Sequence, residues 1–394
     1  MSYDDAVNWL ESLNVFGIKP GLERIKILAD KLGSPQNKYK TVHVTGTNGK
    51  GSVCAMLAEI LQTDGYNVGF FSSPHLESYC ERFKINGENI SEKDFAKIIE
   101  NVKSQNVEAT QFEILTAAAF EYFAEKKVDI AVIEVGLGGL LDSTNIITPE
   151  VSIITNVALD HTNILGDLKN IAWNKAGIIK PNISVVTGAT EEPLEIIREV
   201  AEKNNSPLYE VNEPTNLFVN LKGEYQKFNA AIAVKTSELL NIPQSVIIQG
   251  LRRVQWAGRF EVHKNLIIDG AHNPNGAAAL RQSLDKNFAE GSRAWIFGAL
   301  RDKNIDEMIK ILFRPNDFVI VTTPESERAA TCEEICKKLS AKKIKCVGIE
   351  KISDAIEKLM KFNADVKIIS GSLYLIGTAR KILKLTYAEK FSSS

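Results

Sequence analysis

The first stretch of the chain with an evident chemistry is glycine-rich and runs from Thr45 to Ser52, with the sequence TGTNGKGS. Glycines permit left-handed backbone and let successive N–H groups point at an anion. Lys50 could reach the outer phosphates of a nucleotide, and Ser52 could hold Mg²⁺. The spacing departs from the common phosphate-loop pattern, which has Gly where Val44 stands and Ser or Thr where Gly51 stands. A glycine-rich turn without a ligand is the alternative.

Further candidates follow apolar runs that are typical of buried parallel strands. Residues 128–135 form one such run, which contains Glu134 and leads into a glycine turn. A buried carboxylate at this position costs free energy unless a positive charge lies beside it. A Mg²⁺ ion, or an Arg or Lys side chain, would supply that charge. His161 follows the run at 151–156, and His75 follows another strand. Each histidine is either a ligand at the sheet edge or an ordinary polar residue.

The elements predicted around these residues alternate between strand and helix. A short strand precedes the glycine loop, and the helix after it has an apolar face formed by Val53, Met56, Leu57, Ile60 and Leu61. The alternation breaks at residues 256–261 and restarts with strands near 265–269, 294–298, 317–322, 344–348 and 366–370. We therefore predict an α/β protein. A P-loop-type, mainly parallel sheet domain is expected over 1–258, and a smaller Rossmann-like α/β domain over 259–394.

The composition narrows the classes of function. A net charge of −2 argues against a dedicated nucleic-acid-binding protein. No apolar run is long enough to span a bilayer, and the acidic start of the chain does not fit a signal peptide. The five cysteines include no C-x-x-C pair, which fits reduced thiols in a cytoplasmic protein.

Together these motifs resemble the Mur ligase superfamily and, within it, the folylpolyglutamate synthase/dihydrofolate synthase family. The resemblance covers nearly the whole chain and rests on residues 45–52, 73–76, 134–139, 142–145, 159–163, 175–177, 256–261, 269–274 and 371–377. It implies an ATP-dependent ligase. In such enzymes ATP phosphorylates the terminal carboxylate of a folate or pteroate, and the amino group of L-glutamate displaces the phosphate.

The same resemblance implies a set of nucleotide and metal ligands. ATP would be bound by Thr47, Asn48, Gly49, Lys50, Gly51, Ser52, Gln226, Asn229, Arg259 and Asp269. Ser52 and Glu134 would hold one Mg²⁺ ion and His161 a second, with K⁺ as a further candidate cofactor.

Other residues would act on the substrates or in catalysis. Lys175, which taken alone is a solvated helix charge, matches a lysine that is carbamylated in the family. With Lys50, Asp269 and His272 it makes up the catalytic set. Ser73, His75 and Arg82 would lie at the folate, and His272 and Asn273 would border the glutamate.

The sequence departs from the family at four positions. Leu140 replaces a common Arg, Tyr225 a His, Asn174 a Glu, and Ser143 an Ala that many bifunctional members carry. Leu140 and Ser143 favour polyglutamylation of folate over dihydrofolate synthesis.

Two other classes of protein are alternatives to this family. The alternative enzyme is another Mur-type amino-acid ligase that acts on a different carboxylate. The cell-wall ligases usually carry a further N-terminal domain, and only about 40 residues precede the glycine loop here. A GTPase-like switch would need an N-K-x-D motif, which the sequence lacks. We expect a monomer with small-molecule substrates and without nucleic-acid or membrane partners.

Overall fold

The computed structural model describes residues 1–13 and 19–385, and it divides into two compact units. The first unit comprises Met1–Phe218 and Phe228–Val254, and the second comprises Val219–Lys227 and Gln255–Ser394. Both units are α/β, as predicted. The domain boundary at 258 stays a prediction. That prediction did not place residues 219–227 in the second unit, where the structure groups them.

The described residues of the first unit form an eight-stranded sheet in the order β4-β3-β2-β5-β1-β6-β7-β8. Its strands are β1 (Lys40–Thr45), β2 (Val68–Phe71), β3 (Phe83–Ile85), β4 (Glu88–Asn89), β5 (Ile130–Glu134), β6 (Val151–Ile154), β7 (Ser184–Thr187) and β8 (Leu208–Glu210). Neighbouring strands run parallel except at one edge, where β3 is antiparallel to both β2 and β4.

The helices α1 to α10 accompany this sheet, and the first turn of α9 belongs to the second unit. Their bounds are α1 (Tyr3–Ser12), α2 (Glu23–Lys31), α3 (Lys50–Thr63), α4 (Glu92–Ser104), α5 (Gln111–Glu125), α6 (Thr162–Leu165), α7 (Leu168–Ala176), α8 (Glu191–Lys203), α9 (Tyr225–Leu239) and α10 (Gln244–Arg253). Helix α4 begins at an N-cap, Ser91, whose side chain accepts a hydrogen bond from the Asp94 N–H.

Strand β1 lies in the middle of the first sheet and sets the height of the loops around it. Val42 and Val44 are fully buried, as expected for a parallel strand covered on both faces. Val44 pairs in register with Glu134 of β5, and Thr45 pairs with Ile154 of β6. The carboxyl ends of these three strands are therefore level, and the loops that follow them meet at one edge of the sheet.

The described residues of the second unit form a six-stranded sheet in the order β13-β12-β11-β14-β10-β9. Its strands are β9 (Glu261–His263), β10 (Leu266–Asp269), β11 (Arg293–Phe297), β12 (Phe318–Val321), β13 (Lys345–Gly348) and β14 (Val366–Ser370), and its helices are α11 (Pro274–Asn287), α12 (Ile305–Leu312), α13 (Cys332–Ala341), α14 (Ile352–Lys361) and α15 (Leu373–Leu383). The five predicted strands correspond to β10 to β14. Strand β9 was not predicted, and it is antiparallel to β10.

Two details differ from the prediction. The antiparallel pair β3 and β4 was missed, because strands of three and two residues are too short to show a period. Strand β9 also has only three residues, which explains why it was not predicted. Neither difference moves a candidate site residue.

Candidate active site

The loop between β1 and α3 has backbone that only glycine accommodates. Gly46 has a φ of 152° and Gly49 a φ of 83°, both on the positive side that side chains disfavour. A Cβ atom on Gly46 would collide with the Oγ1 atom of Thr155, and one on Gly49 would collide with the side chain of Asn229. Asn229 of α9 therefore lies directly against the glycine loop.

The loop is held in shape by the segment that follows β6. The Asn156 carbonyl accepts a hydrogen bond from the Thr47 N–H at 3.0 Å, and its Oδ1 atom accepts one from the Asn48 N–H at 3.0 Å. Thr155 Oγ1 donates to the Asn48 carbonyl at 2.6 Å, and Thr47 Oγ1 accepts from the Ala158 N–H at 2.9 Å. These contacts order the loop without any ligand. The sequence analysis missed Asn156 and Thr155. Their position just past a strand end could have identified them, because ligand-binding loops follow the carboxyl ends of parallel strands.

Lys50 is the first residue of α3, and its side chain folds back over the glycine loop. Its Nζ atom donates to the Gly46 carbonyl at 3.0 Å and lies 3.4 Å from the Thr47 carbonyl. Both acceptors are neutral, so they orient the ammonium without cancelling its charge. Ser52 is fully buried in the first turn of the same helix. A cation above a loop at a helix N-terminus is the arrangement that binds phosphate groups.

Glu134 ends β5 beside this loop and is only 4% exposed. Its Oε2 atom accepts a hydrogen bond from the Ser73 N–H at 3.1 Å, so the segment after β2 is tied to the strand-end carboxylate. The charges of Glu134 and Lys50 also act on the pKa of the Cys54 thiol on α3. Burial raises the pKa of Cys54 well above its usual value, the charge of Glu134 raises it further, and the charge of Lys50 opposes this.

Lys175 lies on α7 and is only 4% exposed. Within the described ranges, no acceptor lies within hydrogen-bonding distance of its Nζ atom. Burial holds the pKa of Lys175 well below its usual value, and the charge of Lys50 lowers it further. Asp160 and Asp142 act in the opposite direction. The sequence analysis did not identify these two carboxylates, although each stands inside a quoted motif.

A buried chain of hydrogen bonds fixes the loop after β5. His43 Nε2 lies 2.8 Å from Thr144 Oγ1, which donates to Asp142 Oδ1 at 2.6 Å. Thr144 donates its only hydroxyl proton to Asp142, so its oxygen must accept a hydrogen bond from the His43 Nε2–H. Burial lowers the pKa of His43 to about 3, which keeps the ring neutral. Asp142 Oδ2 then accepts from the Leu137 N–H at 2.9 Å.

The loop that this chain fixes packs against the helix of Lys175. Thr45 Oγ1 donates to the Gly138 carbonyl at 2.5 Å, and the Leu140 N–H donates to the Asn174 carbonyl at 2.8 Å. A Cβ atom on Gly139 would lie 2.8 Å from the Asn174 carbonyl oxygen. Glycine at this position therefore permits the close approach of the loop to α7.

His161 has a φ of 51° and precedes α6, and its side chain is 39% exposed. Its Nε2 atom lies 4.0 Å from Asp160 Oδ2. The histidine thus stands next to one of the two carboxylates whose charges raise the pKa of Lys175.

His75 and Arg82, two of the residues predicted at the folate, form one cluster with Tyr79. Arg82 Nε donates to His75 Nδ1 at 2.9 Å, and the rings of His75 and Tyr79 are 4.3 Å apart. Burial and the charge of Arg82 lower the pKa of His75 to about 3. The neutral ring therefore carries its proton on Nε2, which makes that atom a hydrogen-bond donor.

Four large apolar side chains are exposed on the loops after β5 and β6. Leu140, Leu141, Leu159 and Ile164 have between 44% and 58% of their surface accessible. Solvent exposure of several such side chains in loops beside polar groups is typical of a surface that receives an apolar ligand.

The candidate residues of the second unit surround Asp269, the last residue of β10. Asp269 Oδ2 accepts hydrogen bonds from the Tyr225 hydroxyl at 3.1 Å and the Phe260 N–H at 2.7 Å. Its Oδ1 atom accepts from the Ala271 N–H at 2.8 Å. Burial raises the pKa of Asp269, while the charge of Arg259 and these hydrogen bonds oppose the rise. Tyr225, which departs from the family, therefore joins the same cluster.

The remaining candidates lie on either side of this cluster. His272 Nδ1 lies 2.8 Å from the Gly270 carbonyl, so Nδ1 carries the proton of a neutral ring and Nε2 is its acceptor atom. Asn273 is 2% exposed and caps α11, with its Oδ1 atom accepting from the Gly276 N–H at 2.8 Å. Gln226 is fully buried at the start of α9.

Two family models match the chain and define its class. The model of the Mur ligase middle domain matches residues 44–262, and the model of the Mur ligase glutamate ligase domain matches residues 252–373. The chain is therefore a Mur-type ligase, with the glycine loop at the start of the first match.

Closer relatives identify the branch. The dihydrofolate synthase/folylpolyglutamate synthase of Bacillus subtilis is 35% identical over 97% of this chain and 99% of the relative. The folylpolyglutamate synthase of Lacticaseibacillus casei is 33% identical over 97% and 99%. The chain belongs to the folylpolyglutamate synthase/dihydrofolate synthase family of the Mur ligase superfamily.

Solved structures agree over the whole chain. The bifunctional folylpolyglutamate synthase/dihydrofolate synthase of Yersinia pestis, complexed with AMPPNP and Mn ion, has a TM-score of 0.89 at 31% identity and covers 98% of both chains. E. coli FolC in complex with DHPP and ADP has a TM-score of 0.89 at 28% identity, over 96% of this chain and 97% of that one. The fold expected from the sequence is thereby confirmed.

Among the described residues, no helix is long and apolar enough to cross a membrane.

Proposed function

We propose that this chain uses ATP and a divalent metal to join L-glutamate to the terminal carboxylate of tetrahydrofolate and so lengthens its polyglutamate tail. Its family consists of folate–glutamate ligases, and relatives have been solved with nucleotide, with Mn ion and with DHPP. The observation that carries the proposal is the cluster at the edge of the first sheet. There the ordered glycine loop and Lys50 lie in electrostatic range of the buried Lys175.

This geometry supports the proposed set of nucleotide ligands. The N–H groups at the start of α3 and the Lys50 ammonium are suited to the β- and γ-phosphates. Thr47, Asn48, Gly49, Gly51 and Ser52 would complete the phosphate site. Asn229, which packs on the loop, and Gln226 would lie towards the adenine, and Arg259 and Asp269 would also bind ATP.

The metal ligands are oxygen-rich, as Mg²⁺ prefers. In the described part of the chain, no group of three or more His, Cys, Asp and Glu side chains is arranged to hold a metal ion. The proposed site therefore depends on the Ser52 hydroxyl and Glu134, with phosphate oxygens and water filling the other positions. His161 would serve a second Mg²⁺ ion, and K⁺ remains a candidate. A bound Mg²⁺ would neutralise charge on the phosphoryl group during transfer.

Lys175 is proposed to be carbamylated. Its depressed pKa raises the share of neutral amine at any given pH, and only the neutral amine attacks CO₂. A C–N bond then forms, one proton is released, and the site gains a carboxylate. This change replaces an unfavourable buried cation next to Lys50 by an anion, which is electrostatically favourable.

The folate and glutamate would contact the remaining candidates. The His75 Nε2–H, the Arg82 guanidinium and Ser73 supply polar groups for a folate. The exposed side chains Leu140, Leu141, Leu159 and Ile164 supply an apolar surface for its flat ring system. His272 and Asn273 would border the incoming glutamate.

Polyglutamylation is favoured over dihydrofolate synthesis because Leu140 replaces an Arg that many relatives carry and Ser143 replaces an Ala that many bifunctional members carry. We also propose that the chain acts as a monomer in the cytoplasm. All five of its cysteines are free thiols, which fits a reducing compartment.

An ADP-release assay tests the function. The protein is given ATP and L-glutamate with either tetrahydrofolate or dihydropteroate, and reactions without glutamate serve as blanks. We expect glutamate-dependent ADP release with tetrahydrofolate and little with dihydropteroate. Equal rates would make the enzyme bifunctional. No turnover with either pteridine would favour the alternative, a Mur-type ligase with a different carboxylate substrate.

A further inference from the structure

The turn that carries Arg259 has an unfavourable backbone. Gly258 and Phe260, its two neighbours, have φ values of 68° and 49°. Left-handed backbone suits glycine but is costly for a bulky aromatic residue, so the surroundings must hold Phe260 in place. Phe260 is 2% exposed, which shows that its side chain is anchored in the core of the second unit.

Two carboxylates hold this turn through its backbone. Asp269 Oδ2 accepts from the Phe260 N–H at 2.7 Å, and Glu261 Oε2 accepts from the Gly258 N–H at 2.9 Å. The Gly258 carbonyl in turn accepts from the Gly270 N–H at 2.8 Å. Asp269 already has a proposed role at the nucleotide. Glu261 has none so far.

Glu261 is itself fixed by a distant residue. Arg380 of α15 donates from Nη1 to both carboxylate oxygens of Glu261, and the two side chains are 5% and 14% exposed. His263 Nε2 lies 2.7 Å from Glu261 Oε1. Burial alone would raise the pKa of Glu261, but the charge of Arg380 and these hydrogen bonds lower it overall. The carboxylate is therefore ionised and has one orientation.

The guanidinium of Arg259 depends on the turn for its direction. Its Nη1 atom donates to the Gly258 carbonyl at 3.3 Å, and the same atom occupies the space that a Cβ atom on Gly270 would need. The Gly258 carbonyl belongs to the peptide that joins Gly258 to Arg259, and the Gly270 N–H binds that carbonyl. Glu261 binds the N–H of the preceding peptide, so the two contacts together hold the φ and ψ angles of Gly258 that direct Arg259.

We propose that Glu261 and Arg380 are positioning residues that aim Arg259 at the bound nucleotide. The inference rests on the proposed function, in which Arg259 binds ATP. It adds a chain of contacts that runs from α15 through Glu261 and the Gly258 peptide to Arg259. None of these contacts requires Glu261 or Arg380 to touch the nucleotide.

The test compares Glu261→Gln and Arg380→Met with the unaltered protein. Gln keeps an oxygen for the Gly258 N–H but loses the charge that binds Arg380. We expect the KM for ATP and the Kd for ADP to rise about tenfold in both variants, with kcat changed less than about twofold. Arg380→Lys, which restores the charge, should recover part of the affinity.

Arg281→Met is the matched control. Arg281 is 7% exposed and forms an ion pair with Asp285 on α11 of the same unit, without contact to the turn. It should lower the melting temperature without changing the KM for ATP. If Glu261→Gln and Arg380→Met do the same, they are only structural, and the inference is overturned. If the unaltered protein binds neither ATP nor ADP, the proposed function itself fails, which is a separate outcome.

Discussion

Lys50 and Lys175 are electrostatically coupled: the charge of the lysine at the start of α3 lowers the pKa of the lysine buried on α7. Two like charges in electrostatic range of each other are unfavourable unless an anion joins them. Asp160 and Asp142 offset the repulsion only in part. Negative charge near the pair is therefore electrostatically favourable, and a nucleotide phosphate or a carbamate on Lys175 would supply it.

Replacement of Lys50 tests the phosphate assignment. Lys50→Met should reduce ATP turnover by about 100-fold or more, because a charged donor at the transferred phosphate is lost. The fold should persist, since the Lys50 ammonium binds only two loop carbonyls. ADP release measures the first effect and thermal unfolding the second. Turnover at the unaltered rate in a folded variant would disprove the assignment.

Lys175 predicts a pH-dependent stability. Its folded pKa lies below the ordinary value of 10.5, so between the two values the unfolded chain binds a proton that the folded chain does not. Stability should therefore rise with pH across that window and be lowest below it. Lys175→Met removes this titration. In CO₂-free buffer the variant should be more stable at neutral pH, because its apolar side chain carries no charge that burial penalises.

Urea unfolding of both proteins from pH 7 upwards measures this difference. It should shrink as the pH approaches the ordinary lysine pKa. A difference that stays constant with pH would mean that packing, and not the buried charge, sets the effect. Addition of ¹³C-labelled bicarbonate to the unaltered protein should give a carbamate signal in NMR that the variant lacks.

Glu134→Gln tests the metal site. The amide oxygen can still accept from the Ser73 N–H, so the local structure should be kept. The Mg²⁺ concentration for half-maximal activity should rise about 10- to 100-fold, because one anionic ligand is lost. Glu210→Gln is the control, since Glu210 is an outlying carboxylate that pairs with Arg198 at 2.7 Å. An identical Mg²⁺ titration in both variants would exclude Glu134 as a ligand.

Gly49→Ala should strain the glycine loop. The alanine would adopt a φ of 83° and its Cβ would collide with Asn229, whereas Gly65→Ala places a Cβ at a φ of 97° in open space. We expect Gly49→Ala to lower the free energy of unfolding by about 1–3 kcal/mol more than Gly65→Ala. Adding Asn229→Ala should recover part of this loss. Equal losses in the free energy of unfolding at the two glycines would show that the Asn229 side chain moves away from the new Cβ atom without destabilising the protein.

Trypsin tests the domain division. Arg252 and Arg253 at the end of α10 are exposed, whereas Gly258 is buried. We expect the first cleavage after these arginines and not after Arg259, which is less exposed. The two products should elute together in gel filtration, because residues 219–227 of the first product group with the second unit. Separation of the products without denaturant would contradict that grouping.

The sequence predicted the residues that stand where strands end. Lys50 and Glu134 follow from strand limits and from the rule that parallel strands present their carboxyl ends at one edge. Five strands of the second unit were likewise predicted from their apolar runs. These features depend on short stretches of sequence, so a local pattern is enough to find them.

The residues that were missed depend on contacts between distant segments. Asn156 binds the glycine loop only because β1 and β6 pair in one register. Glu261 and Arg380 are 119 positions apart, and no local period connects them. Asp142 and Asp160 act on Lys175 through space, which a pattern of residue types does not reveal.

Cys54 offers a natural reporter on the nucleotide loop. Its sulfur is buried on α3 behind that loop, and its raised pKa keeps it in the unreactive thiol form. A thiol reagent at neutral pH will thus label only those molecules in which the packing around α3 has opened. The labelling rate at this cysteine, followed by mass spectrometry with and without ADP, measures how often that opening occurs and needs no introduced probe.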